Sequence, residues 1–136
     1  MKNTKDIKTG TIKQSVFINA PPEKIYQAFI DAKLHTAFTG SKATGSGKLG
    51  AQFTSWGGYA MGKNLELKKG KRIVQTWKTT EWPDGYDYSV LKLTLVKKGK
   101  GTLLTMVHSK VPKSQMKEYA SGWKDYYWKP LKEYVE

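Results

Sequence analysis

Between Ser114 and Tyr134 the chain carries a long apolar stripe at helical spacing: Met116, Tyr119, Ala120, Trp123, Tyr127, Leu131 and Tyr134. Lys117, Lys124 and Lys132 fall outside it. A helix with so wide an apolar face must bury that face against another layer. Almost everything before it reads as strand, so the other layer is a sheet. Ser114 is the expected N-cap, with Glu118 one position late for a capping box. Pro130 is expected to kink the helix or remove one backbone hydrogen bond. Gly122 either lets the helix approach the sheet closely or weakens it by about 1 kcal/mol relative to alanine. Together, Gly122 and Pro130 mark the helix as a candidate lid.

The strand signals start at Thr11, where Ile12, Val16 and Ile18 share one face and Lys13 and Ser15 the other. Asn19-Ala20-Pro21-Pro22 breaks this strand. Pro22 suits a first helical position and Glu23 suits the first turn, so Ile25, Ala28 and Phe29 form the stripe of a short helix. A second short helix is expected from Ala32 to Phe38, ended by Thr39-Gly40. Gly57-Gly58 reads as a hairpin turn between Phe53–Trp56 and Tyr59–Leu67. The glycines from Gly40 to Gly62 do not match phosphate-loop spacing. Further alternating segments put Ile73, Gln75 and Trp77 on one face, then Leu91, Leu93 and Leu95, then Leu104 and Met106. Lys68–Lys71, Pro83-Asp84-Gly85 and Lys97–Gly101 are the turns between them, and Pro112 closes the set. Hairpin-length connections imply antiparallel pairing. The fold class is therefore α+β, with about six to seven strands, two short helices after the first, and a long C-terminal helix across the sheet.

The 136 residues suit one domain, expected over 11–136 behind a flexible basic tail at 1–10. There is no cysteine, which excludes disulfides, thiolate metal sites and cysteine nucleophiles. Residues 1–10 are polar with no apolar leader core, and no run approaches a membrane span of about 18 residues. A cytoplasmic monomer is expected. The net charge of +13 favours acidic partners. Arg72 is the only arginine, and the lysines are scattered along the chain. That pattern argues against nucleic acid, where arginine usually reads bases and phosphates.

The sequence offers little catalytic chemistry. His35 and His108 lie in unrelated segments without an evident carboxylate relay, and both are read as structural or surface groups. His108 alternates in phase with Leu104 and Met106 and is expected to point inward. Glu81, Asp84 and Asp87 surround a turn and are read as solvated carboxylates. No catalytic residue, metal ligand or cofactor is assigned. The aromatic set is more informative: Trp56, Trp77, Tyr119, Trp123 and Tyr127 converge if the helix packs on the sheet.

Several stretches carry a family resemblance. Val16-Phe17-Ile18-Asn19-Ala20-Pro21-Pro22-Glu23-Lys24-Ile25-Tyr26 resembles the opening strand and first helix of the START-like, or helix-grip, superfamily. Four more resemble one family in it, the activator of heat-shock protein 90 ATPase homologues. They are Ala37-Phe38-Thr39-Gly40 with Ala43, Arg72-Ile73-Val74-Gln75-Thr76-Trp77, Trp82-Pro83-Asp84-Gly85, and Gly122-Trp123-Lys124-Asp125-Tyr126-Tyr127. The resemblance implies a curved sheet gripping the long helix, with a cavity between them for a small hydrophobic ligand. Phe29, Phe53, Trp56, Trp77, Leu93, Met106, Tyr119, Trp123 and Tyr127 are the candidates for its lining, with Gln75 and His108 as polar candidates. It also implies a chaperone as the acidic protein partner, since the similar domain is the C-terminal half of a two-domain co-chaperone that stimulates a chaperone ATPase. A stand-alone binding protein is expected first, a chaperone regulator second, and a small cyclase or hydrolase third.

Overall fold

The computed structural model describes residues 8–136; residues 1–7, most of the expected tail, lie outside the described residues. Strand β1 (Thr9–Ile18) starts two residues ahead of the expected Thr11. Helices α1 (Pro22–Ile30) and α2 (Ala32–Thr39) follow. Pro22 opens α1, and the Asp31 carboxylate caps α2 by accepting from the Lys33 and Leu34 amides. Gly40, at φ 77°, supplies the left-handed residue that ends α2.

Five strands come next: β2 (Gln52–Ser55), β3 (Ala60–Lys68), β4 (Arg72–Thr79), β5 (Ser89–Lys98) and β6 (Gly101–Pro112). All neighbours pair antiparallel in the order β1-β6-β5-β4-β3-β2. Successive hairpins explain β2 to β6, and β1 closes the far edge by pairing with the last strand. Irregularities at Gly10/Ile12 and Asn64/Glu66 bend the sheet. The register carries the inward faces into continuous rows. Gln14, Met106, Leu93 and Ile73 form one; Ile12, His108, Leu91, Gln75 and Asn64 form the next.

The terminal helix lies on this concave face, giving the expected helix-grip arrangement. It enters through a tight turn at Lys113–Gln115, so Ser114 is not the N-cap. It then runs as α3 (Met116–Gly122), a π-helical segment (Trp123–Trp128) and α4 (Lys129–Val135), with helical backbone at each junction. The π turn lies between Gly122 and Pro130. There the Lys129 N–H reaches the Lys124 carbonyl, five residues back. Pro130 has no N–H to give, so the break in α geometry falls just before it. The wider turn rotates the buried face by one residue: Trp128 and Val135 are buried, while Tyr134 is exposed. β1 holds the helix through polar contacts. Gln14 Nε2 donates to the Ala120 carbonyl at 2.8 Å, and the Trp128 indole donates to Gln14 Oε1 at 2.8 Å. Lys132 Nζ reaches the Phe17 carbonyl at 3.0 Å.

Candidate functional site

The β2–β3 connection is built on unusual backbone. Trp56 has φ 57°, followed by Gly57 at 66° and Gly58 at 96°. Positive φ in a bulky residue costs on the order of 1–3 kcal/mol and persists only where neighbours hold it. Here the Trp56 indole N–H donates to Tyr127 Oη at 3.0 Å, and its ring meets Tyr126 and Tyr127 edge-on. The strained turn thus leans on the terminal helix.

From Tyr127 a polar chain continues inward. His35 Nδ1 lies 2.9 Å from the Phe29 carbonyl, which can only accept, so that nitrogen carries the proton. His35 Nε2 is left to accept the Tyr127 hydroxyl proton at 3.2 Å, with Ser55 Oγ a second acceptor at 3.4 Å. Burial lowers the His35 pKa and pushes the Tyr127 phenol up to about 12. Both groups are neutral near pH 7. His35 is therefore a buried structural residue and not a surface one.

His108 points inward as expected, but it is sealed. Its Nδ1 accepts the Trp123 indole proton at 3.2 Å, so Nε2 carries the hydrogen and donates to Ser89 Oγ at 2.7 Å. Ser89 donates onward to the Trp77 carbonyl. Burial drives the His108 pKa down to about 3. The ring is a neutral spacer between Trp123, Trp77 and β5.

Above this layer an open groove of about 400 Å³ runs between the β2–β3 tip and the terminal helix. That volume is ordinary for a small-molecule site. Trp56 and Tyr59 form one wall; Tyr119, Trp123, Tyr126 and Tyr127 form the other; Trp77 is the floor and Glu118 stands at the rim. The outer phenols are held in place. Tyr59 donates to Glu81 Oε1 at 2.7 Å, and burial together with that carboxylate raises its pKa. Tyr119 donates to Gln115 Oε1 at 3.0 Å and takes the Thr79 hydroxyl proton at 2.7 Å. Glu81 is thus engaged by a phenol. Gly122 also lines the groove, and an added Cβ there would meet only Tyr126 Cδ2, at 3.7 Å. Its role is an open groove wall, not close approach to the sheet.

Five expected lining residues come together here: Trp56, Trp77, Tyr119, Trp123 and Tyr127. Phe29, Phe53 and Gln75 do not reach the groove. With Tyr127 they border a separate void of about 20 Å³, room for one water and no organic ligand. Gln75 Nε2 is bonded to Asn64 Oδ1 at 2.9 Å, and Asn64 Nδ2 to the Lys48 carbonyl, so this pair pins a loop. Leu93, Met106 and His108 border neither space. They are at most 1% exposed, in one core with the large rings of Trp123 and Trp128. Tyr59, Tyr126 and Glu118 were not among the expected residues. Tyr126 lies three residues after Trp123 and seven after Tyr119, so helical spacing places it on the groove side, and that spacing could have found it.

The family described as Activator of Hsp90 ATPase homolog 1-like protein matches residues 19–136. The chain is similar to Activator of 90 kDa heat shock protein ATPase homolog 1 of Homo sapiens: 29% identical over 123 residues, 90% of this chain and 36% of that protein. It is also similar to Activator of 90 kDa heat shock protein ATPase homolog of Dictyostelium discoideum: 31% identical over 122 residues, 89% of this chain and 32% of that protein. The chain thus spans about a third of the length of the curated relatives it matches. Among solved structures, an HSP90 activator from Plasmodium falciparum superposes with a TM-score of 0.79 at 27% identity, over 87% of this chain and 90% of that one.

Proposed function

The chain belongs to the Activator of Hsp90 ATPase homolog 1-like protein family, and from that premise we propose that it works by binding rather than catalysis, holding a small apolar molecule in the aromatic groove. The groove itself carries this reading: seven rings from three elements surround one open space. The histidines add support, because both are neutral and have their ring nitrogens engaged inside the fold. Titrating the protein with lipids and planar aromatics tests the reading by intrinsic fluorescence and thermal shift. Trp56, Trp77 and Trp123 line the groove, so a bound molecule should change emission. At about 100 times its Kd, a ligand should add about 2.7 kcal/mol of stability. A panel that changes neither emission nor Tm up to its solubility limit sinks the reading. Gly122→Leu supplies a control. Its side chain projects into the groove from a helical position with φ −61°, so ligand binding should be lost while the fold stays intact.

A second reading, regulation of a 90 kDa heat-shock chaperone, is favoured by a different observation. The outward sheet face carries Lys13, Lys63, Arg72, Lys78 and Lys92. Glu66, the one carboxylate among them, is already paired with Arg72 at 3.3 Å and Lys68 at 3.9 Å. Such a face suits an acidic protein surface. Chaperone ATPase rates with and without this protein decide the matter: stimulation at low salt, weakened by Lys13→Glu with Lys92→Glu, supports it. Unchanged rates at low salt remove it.

A further inference from the structure

The chain has five tryptophans. Four indole N–H groups have protein acceptors: Trp56 bonds Tyr127, Trp82 the Asp87 carbonyl, Trp123 His108, and Trp128 Gln14. Among the described residues, Trp77 Nε1 has none, although Trp77 is only 5% exposed. No polar side-chain atom fully sealed from solvent lacks a partner among those residues. The Trp77 N–H therefore reaches open space, and the space Trp77 lines is the groove.

The ring cannot turn this donor elsewhere. It is packed against Trp82 at 6.0 Å, His108 at 4.9 Å, Tyr119 at 5.5 Å and Trp123 at 5.6 Å between centroids. An apolar slot thus has one fixed, unspent donor in its floor, which is how ligand sites set orientation. Two further features narrow the acceptor. Glu118 at the rim disfavours an anion. The Tyr119 and Tyr127 phenols already both donate and accept. A ligand hydroxyl would therefore have to place its own proton on the 62% exposed Tyr126 phenol, on Tyr59 or on Glu118 at the rim, whereas a carbonyl brings no proton to place.

We infer that the groove selects a flat, uncharged polycyclic molecule whose ring carbonyl accepts the Trp77 indole N–H. The inference rests on the binding reading above, and the experiment separates the two. Fluorene and 9-fluorenone share one ring skeleton and differ in the carbonyl. Each is titrated into the full chain while affinity and the indole ¹H–¹⁵N resonances are followed. Fluorenone should bind about tenfold more tightly, the difference one added hydrogen bond to a buried donor makes. It should also move the Trp77 indole resonance downfield and slow its exchange, and the Gly122→Leu variant should abolish both effects. Equal affinities with the Trp77 resonance unmoved overturn the carbonyl inference and leave the binding reading standing. Failure of both compounds to bind or shift any indole overturns both.

Discussion

Protonating His108 would point a second ring hydrogen at the Trp123 N–H, which now donates to that nitrogen. The folded pKa of about 3 lies below the ordinary 6.5, so as pH falls the unfolded chain takes up this proton first. Stability from this residue is complete above pH 6.5 and drains as pH falls toward 3. The slope should reach about 1.4 kcal/mol per pH unit. His35, lowered in the same direction by burial, adds to the effect. Denaturant midpoints between about pH 7 and about pH 4.5 measure the slope. His108→Gln keeps an acceptor and a donor and should flatten it; an unchanged slope in that variant refutes the assignment. Tyr127→Phe strands the Trp56 N–H and His35 Nε2 together. It should cost about 1–3 kcal/mol in chemical denaturation and loosen the groove wall. Which side chains face the helix was legible from period-two alternation alone, and Trp77, Leu93, Met106 and His108 all point inward as read. Which of them reach open space was not. That depends on where the rings of Trp123 and Trp128 come to rest, and no local pattern records it.

The terminal helix was legible as an element because its stripe is long, and its weak point was legible because Gly122 and Pro130 bracket it. The π turn itself was not, since one extra residue in a turn leaves no mark on a pattern already mixing steps of three and four. Its i→i+5 bonds are poorer than α-helical ones, so amides of Tyr127 and Trp128 should exchange faster than those of Leu131 and Val135. Ligand should slow them. Equal protection in both segments without ligand rules out a helix that opens as a lid. In the sheet, the tightest crossing is at Gly62, where a Cβ would lie 1.8 Å from the Thr76 carbonyl oxygen. The Phe53 ring covers the gap, with its tip 2.8 Å from the same point. Gly62→Ala should therefore destabilise by at least about 3 kcal/mol, the upper range for overpacking, because the obstacle is backbone. A loss below about 1 kcal/mol would mean that β3 and β4 can part.

At the scale of the molecule, the charge of +13 and the outward lysines make any acidic partner salt-sensitive. Chaperone stimulation, if found, should fade as salt rises past about 0.15 M, where screening shortens to about 8 Å. Ligand binding in the groove should barely respond, which gives a simple way to tell the two activities apart in one protein. The pairing of β1 with β6 reaches further, into how the chain is made. Its first described strand finds its sheet neighbour only at Gly101–Pro112, and Asn19 and Lys24 then tie to Glu136 and Val135. On the ribosome the hairpins from β2 to β6 can form as they emerge. β1 has to wait with its apolar edge open until nearly the whole domain is out. Contacts of such long sequence separation fold slowly, in milliseconds to seconds. The interval before the sheet closes is when a nascent chain of this design most needs to be kept from its neighbours.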